Sequence, residues 1–127
     1  VVSNQRGIAK RLMTMSDVNY IHEQINKQIS AYKAHIDAFF VCPHEKGTCH
    51  CRKPEIGLFL QAARLFPVDK LHSFMMGDSI TDIEAGHKFG IKSVAIGNFL
   101  KKADFYFLDL YQAAKYIMNS GSSYGNH

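Results

Sequence analysis

Cys42-Pro43-His44 and Cys49-His50-Cys51 place three thiols and two imidazoles within ten residues. Thiolate sulfur and imidazole nitrogen are the donors a tetrahedral zinc ion takes, so Cys42, His44, Cys49 and Cys51 read as a four-ligand, closed and therefore structural zinc site. His50, flanked by two sulfur donors, is the alternative to His44. Three cysteines confined to one loop, two of them a single residue apart, do not suit a disulfide framework. A second set is Gly77-Asp78-Ser79-Ile80-Thr81-Asp82, with two carboxylates four residues apart. One follows an apolar run and the other enters a helix, an arrangement that suits a hard cation such as Mg²⁺, which takes few carboxylates together with phosphate oxygens. The plainer reading stands beside it: Asp82 caps the helix and Asp78 makes a turn. Ser3-Asn4-Gln5 and Arg52-Lys53 are polar groups that either solvate loops or bind an anion.

These residues need a scaffold to converge, and the chain alternates short apolar runs with helical periodicity. Val1–Val2 end a strand that runs into a polar turn through Gly7. Ser16 is an N-cap before a helix of about four turns, in which Val18, Ile21, Ile25, Ile29 and Tyr32 recur at three- and four-residue steps. Ala38–Val41 has the pattern of a strand covered on both faces. Pro54 stands near the start of a helix through Phe66, with Ile56, Phe59, Leu60 and Ala63 on one side. Ser73–Met76 is a strand, Asp82–Phe89 a helix capped by Gly90, Ser93–Ile96 a strand and Phe105–Leu108 another. Asp109 caps a last helix, Leu110 to Met118, and residues 120–127 form a loose tail after a domain of residues 1–119.

Strands alternating with helices predict an α/β protein with a mostly parallel sheet. Ligands bind at the carboxyl ends of such strands, and Ser3-Asn4-Gln5, Arg52-Lys53 and Gly77–Asp82 all fall there.

Composition narrows the function classes. The 127 residues are 46% hydrophobic and 20% charged, as in an ordinary folded domain. Lys plus Arg number 15 against 11 Asp plus Glu, a net +4 that suits an anionic ligand. The excess is scattered, and Phe105, Tyr106, Phe107, Tyr111 and Tyr116 read as strand and helix core, so nucleic acid is not the expected partner. No apolar stretch approaches the ~18 residues of a membrane span, and the expectation is a cytoplasmic monomer acting on a small molecule.

Together the motifs resemble the haloacid dehalogenase-like phosphatase superfamily over nearly the whole chain except the tail. S-N-Q-x-G-I, C-P-H, C-x-C-R-K-P and G-D-S are more narrowly similar to the zinc-containing heptose bisphosphate phosphatases and the related histidinol-phosphate phosphatases. The resemblance implies a Rossmann-like sheet and an Mg²⁺-dependent phosphatase. It implies that Ser3 and Lys53 bind the transferring phosphoryl group, helped by backbone N–H groups of Asn4 and Gln5, and that Asp78 and Asp82 hold Mg²⁺. The implied substrate is D-glycero-D-manno-heptose 1,7-bisphosphate, cleaved at C7 through an aspartyl-phosphate on the path to lipopolysaccharide or surface-layer sugars. Arg52, with its planar fork, is assigned to the remainder of the substrate, and the zinc loop to fixing Arg52 and Lys53.

Two departures qualify the resemblance. Family members carry an apolar strand ending in D-x-D, the nucleophile and the general acid–base, and no D-x-D occurs among these residues. The chain opens on Val1 and is expected to lack a front segment that also supplies the central strand. Ser79 stands where some heptose phosphatases carry a substrate-contacting Lys. The alternatives are a histidinol-phosphate phosphatase, or an inactive, zinc-stabilised module that binds anions.

Overall fold

The structure is a computed structural model that describes residues 1–4, 12–43 and 51–124. The chain divides into two compact units, Val1–Pro67 and Val68–His127.

In the first unit, strand β1 (Val2–Asn4) pairs in parallel with β2 (Phe40–Cys42), Val2 opposite Phe40 and Asn4 opposite Cys42. Ser3 and Asn4 thus belong to the strand rather than to a following turn. Helix α1 (Met15–Ser30) lies between them. Its N-cap is Thr14, not Ser16: the Asp17 N–H donates to Thr14 Oγ1 at 3.0 Å and the Thr14 N–H donates to Asp17 Oδ2 at 2.9 Å. This reciprocal box needs a three-residue separation, which Ser16 does not have from Asp17. Val18 is buried, whereas Ile21 is 50% and Tyr32 84% exposed, because the helix ends before Tyr32 and Lys33 turns the backbone to φ 58°. Helix α2 (Gly57–Leu65) buries Leu58 and Phe59. Pro54 does not open it. Pro54 lies in a preceding turn, with a cis Lys53–Pro54 peptide, closed by the Glu55 N–H donating to the Arg52 carbonyl at 2.8 Å.

The second unit holds a three-stranded parallel sheet in the order β3 (Phe74–Gly77), β4 (Lys92–Ile96), β5 (Phe105–Phe107). Helix α3 (Ile80–Phe89) covers one face. A Cβ at Gly86 would collide with Met75 and Ser93, so glycine there brings helix and sheet together. The Ser93 hydroxyl donates to the Ile83 carbonyl at 2.9 Å, satisfying a polar group in a layer built from Ile83, Ala85, Phe89, Val94 and Ala95. Gly90 ends the helix at φ 93°, its N–H on the carbonyls of Gly86 and His87, as the sequence predicts. Helix α4 (Leu110–Tyr124) is capped by Asp109, whose Oδ1 accepts from the Gln112 N–H at 2.8 Å, and runs past the expected end at Met118. Phe105 and Phe107 tilt against Tyr116 at 5.3 and 5.4 Å, but Tyr106, Tyr111 and Tyr116 are 40%, 74% and 41% exposed and are not core.

The α/β class and the parallel pairing agree with expectation. Among the described residues the strands form two parallel sheets, β1-β2 and β3-β4-β5. No helix of the described residues is long and apolar enough to cross a membrane.

Candidate functional site

On the first unit, the predicted residues gather at the end of β1. The Asn4 carboxamide spans the main chain of Lys53: Lys53 N–H donates to Asn4 Oδ1 at 3.1 Å, and Asn4 Nδ2 donates to the Lys53 carbonyl at 3.4 Å. The Lys53 ammonium donates to the Val2 carbonyl at 3.2 Å. Ser3, between Val2 and Asn4, is therefore on the strand along which Lys53 is laid. One residue earlier, Arg52 is half-buried, and its Nη1 is buried with no hydrogen-bond partner among the described residues. A buried guanidinium N–H without an acceptor is costly, and a phosphate or carboxylate oxygen is the partner its geometry suits. Gln5 lies outside the described residues.

Cys42 and Cys51 meet at the same strand end. Cys42, last residue of β2 and opposite Asn4, is buried, and the Cys51 sulfur meets its sulfur at 2.6 Å. Two sulfur groups from residues flanking the loop are thus neighbours across β2. His44, Cys49 and His50 lie outside the described residues, and no set of three or more metal-binding side chains occurs among the described ones.

On the second unit, Asp78 follows β3 directly and is exposed, while Asp82 in the first turn of α3 is 5% exposed. Asp82 Oδ2 accepts from the Ser79 N–H at 3.2 Å and from the Ser79 hydroxyl at 3.0 Å, a capping box readable as Ser-x-x-Asp. The carboxylate rests against Gly77, where a Cβ would collide with it. Asp78 and Asp82 thus both lie at the C-terminal end of β3, and carboxylate oxygens are the hard donors that Mg²⁺ prefers. The cap occupies Oδ2, so the plainer reading of Asp82 holds without displacing the other. Ser79 is engaged locally, its hydroxyl also 2.9 Å from Thr81 Oγ1.

Sequence reasoning missed two features here. One is the Asn4 side chain, whose bonds to the Lys53 main chain no spacing reveals. The other is Gly77, whose missing Cβ, two positions before Ser79, is what admits the Asp82 carboxylate.

Comparison with known proteins follows this geometry. A family model described as HAD-hydrolase-like matches residues 50–104. The chain is 42% identical over 89 residues to a D-glycero-alpha-D-manno-heptose-1,7-bisphosphate 7-phosphatase of Mycobacterium bovis, covering 68% of this chain and 47% of that one. It is 32% identical over 119 residues to a protein of the same name from Campylobacter jejuni, covering 94% and 68%. The chain spans about half the length of the first of these relatives. The crystal structure of D,D-heptose 1,7-bisphosphate phosphatase from B. bronchiseptica, complexed with magnesium and phosphate, superposes with a TM-score of 0.85 at 26% identity, covering 94% of this chain and 73% of the other. A HAD-like phosphatase from Mesorhizobium loti shares the fold, with a TM-score of 0.77 at 19% identity.

Proposed function

We propose, from the premise that this chain belongs to the HAD-like heptose-1,7-bisphosphate 7-phosphatase family, that it forms part of a phosphatase that removes the C7 phosphate of D-glycero-D-manno-heptose 1,7-bisphosphate. The observation that carries the reading is the grip of β1 on Lys53, which sets the ammonium on the Val2 carbonyl, one residue before Ser3. The Lys53 ammonium and Ser3 hydroxyl bind the equatorial oxygens of the transferring phosphoryl group, where positioning and charge do most of the catalysis. Arg52, whose Nη1 is buried with no partner among the described residues, serves the part of the substrate that does not react.

Asp78 and Asp82 would hold Mg²⁺, whose chemistry is to neutralise phosphate charge facing a carboxylate nucleophile. Asp78, exposed at the strand end, is the carboxylate open to such an ion, and Ser79 and Gly77 fix Asp82 beside it. Cys42 and Cys51, with His44 and Cys49, would hold a structural Zn²⁺ that ties the residues preceding Arg52 to β2. The nucleophile is an aspartate of an Asp-x-Asp strand, a sequence these 127 residues do not contain. It attacks phosphorus, the sugar C7 oxygen leaves with a proton from the second aspartate, and water then hydrolyses the aspartyl-phosphate.

The test measures phosphate release from the heptose bisphosphate by the chain alone and by the chain carrying an N-terminal Asp-x-Asp strand. Mg²⁺-dependent turnover is expected only in the second, and Asp78→Asn should abolish it. Equal turnover by both would show that the nucleophile is misplaced. No turnover of the heptose bisphosphate by a folded extended protein that still cleaves another phosphomonoester would overturn the substrate.

A further inference from the structure

We infer that Asn4 is the positioning residue for Lys53: its carboxamide sets where the lysine ammonium stands relative to Ser3. The inference rests on the proposed role of Lys53 in phosphate binding and adds a residue whose side chain that role does not itself require.

Asn4 is the last residue of β1, and its side chain does for Lys53 what a neighbouring strand would do, accepting from its N–H at 3.1 Å and donating to its carbonyl at 3.4 Å. Only a carboxamide offers both functions at one planar terminus, so Asp or Ser cannot make the same pair. The main chain of Lys53 is thereby fixed at Asn4, while its ammonium reaches the Val2 carbonyl at 3.2 Å, two residues back along the strand. Two strand residues span roughly 6–7 Å, a length an extended lysine stem covers. Lys53 therefore lies alongside β1 and passes the level of Ser3. The turn that follows, closed between Arg52 and Glu55, contains Pro54, which has no N–H with which to replace these bonds. A flexible lysine loses much rotamer freedom when it binds an anion, and fixing its main chain beforehand lowers that cost.

The pattern has an internal counterpart that shows what such a grip does. Asn26 on α1 brackets Ile36 in the same way, Ile36 N–H donating to Oδ1 at 2.7 Å and Nδ2 donating to the Ile36 carbonyl at 3.3 Å. There it anchors an irregular segment that leads to β2. At Asn4 the anchored residue carries a cation.

Two readouts on the 127-residue chain test the inference: hydrogen exchange at the Lys53 amide, and affinity for inorganic phosphate followed by ³¹P resonance. Asn4→Ala should speed Lys53 amide exchange at least about tenfold and weaken phosphate binding by roughly five- to tenfold. In a Lys53→Ala background the same substitution should change phosphate affinity less than about twofold, because a residue acting through Lys53 has nothing left to act on. If Asn4→Ala does not fold, Asn4→Gln carries the test: it keeps both polar functions one methylene further out and should weaken phosphate binding only when Lys53 is present. Phosphate binding that depends on Lys53 but not on residue 4, or losses that add in the double variant, would overturn the inference alone. A wild-type chain with no affinity for phosphate, or one indifferent to Lys53→Ala, would overturn the phosphate-binding reading and the inference with it.

Discussion

The carboxylate of Asp82 occupies the space that a side chain at Gly77 would need. Strand β3 therefore ends on a residue without a Cβ because the helix that follows turns its capping group back onto the strand. Gly77→Ala should force the carboxylate away from Ser79 and destabilise the chain by about 1–3 kcal/mol, the usual cost of overpacking. Asp82→Ala should cost about 0.5–2 kcal/mol as a lost cap. The double variant should lose less than the two added together, since removing the carboxylate vacates the space. Urea midpoints of the three variants check this, and strict additivity would contradict it.

The proposed site predicts one zinc per chain, held by Cys42, His44, Cys49 and Cys51. Metal analysis of protein purified in reductant without added zinc should find it. Cys42→Ser should lower both zinc content and melting temperature. Reduced, folded protein with a metal content near zero would overturn the site.

Arg52 and Lys53 are neighbours with different surroundings, one with a buried Nη1 that has no partner among the described residues and the other bonded to β1 at three points. In the protein carrying an Asp-x-Asp strand, Lys53→Ala should lower kcat on every phosphomonoester. Arg52→Ala should penalise the sugar bisphosphate by about 1.5–3 kcal/mol and spare a small generic ester. Equal losses on both substrates would place Arg52 on the reacting phosphate.

Asp104 is expected to make the second unit acid-sensitive. Burial pushes its carboxyl up, but the Ser93 N–H at 2.8 Å, the His87 ring at 2.8 Å and the nearby Lys92 together hold it below its ordinary value of 3.8. The folded chain then releases this proton more readily than the unfolded one. The contribution is complete above the unfolded value and is lost as pH falls through the folded one. Melting temperature should drop below about pH 4, and Asp104→Asn should flatten that limb while lowering the plateau. An unchanged acid limb in the variant would remove Asp104 as its source.

Much of this molecule is legible along the chain because the relevant interactions are short-range. The strand and helix order follows from apolar runs and helical periodicity. Gly90 follows from its place after the last periodic residue, and the Asp109 cap from its place before Leu110. The cap of α1 was equally local but misassigned, since a reciprocal box selects Thr14 at three residues from Asp17 over the adjacent Ser16. The chemistry-bearing residues were legible as types and spacings: sulfur donors in one loop, carboxylates around one strand end, a lysine after the loop.

What local pattern could not give is which groups meet across distance. Asn4 and Lys53 are 49 residues apart, and nothing in either neighbourhood tells that an amide side chain will bond the main chain of the other. Tyr111 has the composition of core and is 74% exposed, because the packing of α4 on the sheet, not hydrophobicity, decides which of its faces is covered. The sequence by itself determined the kinds of element and the donors available. The tertiary structure decided their partners, since hydrogen bonds and steric fit depend on positions in space that parallel pairing and helix packing set only once the chain has folded.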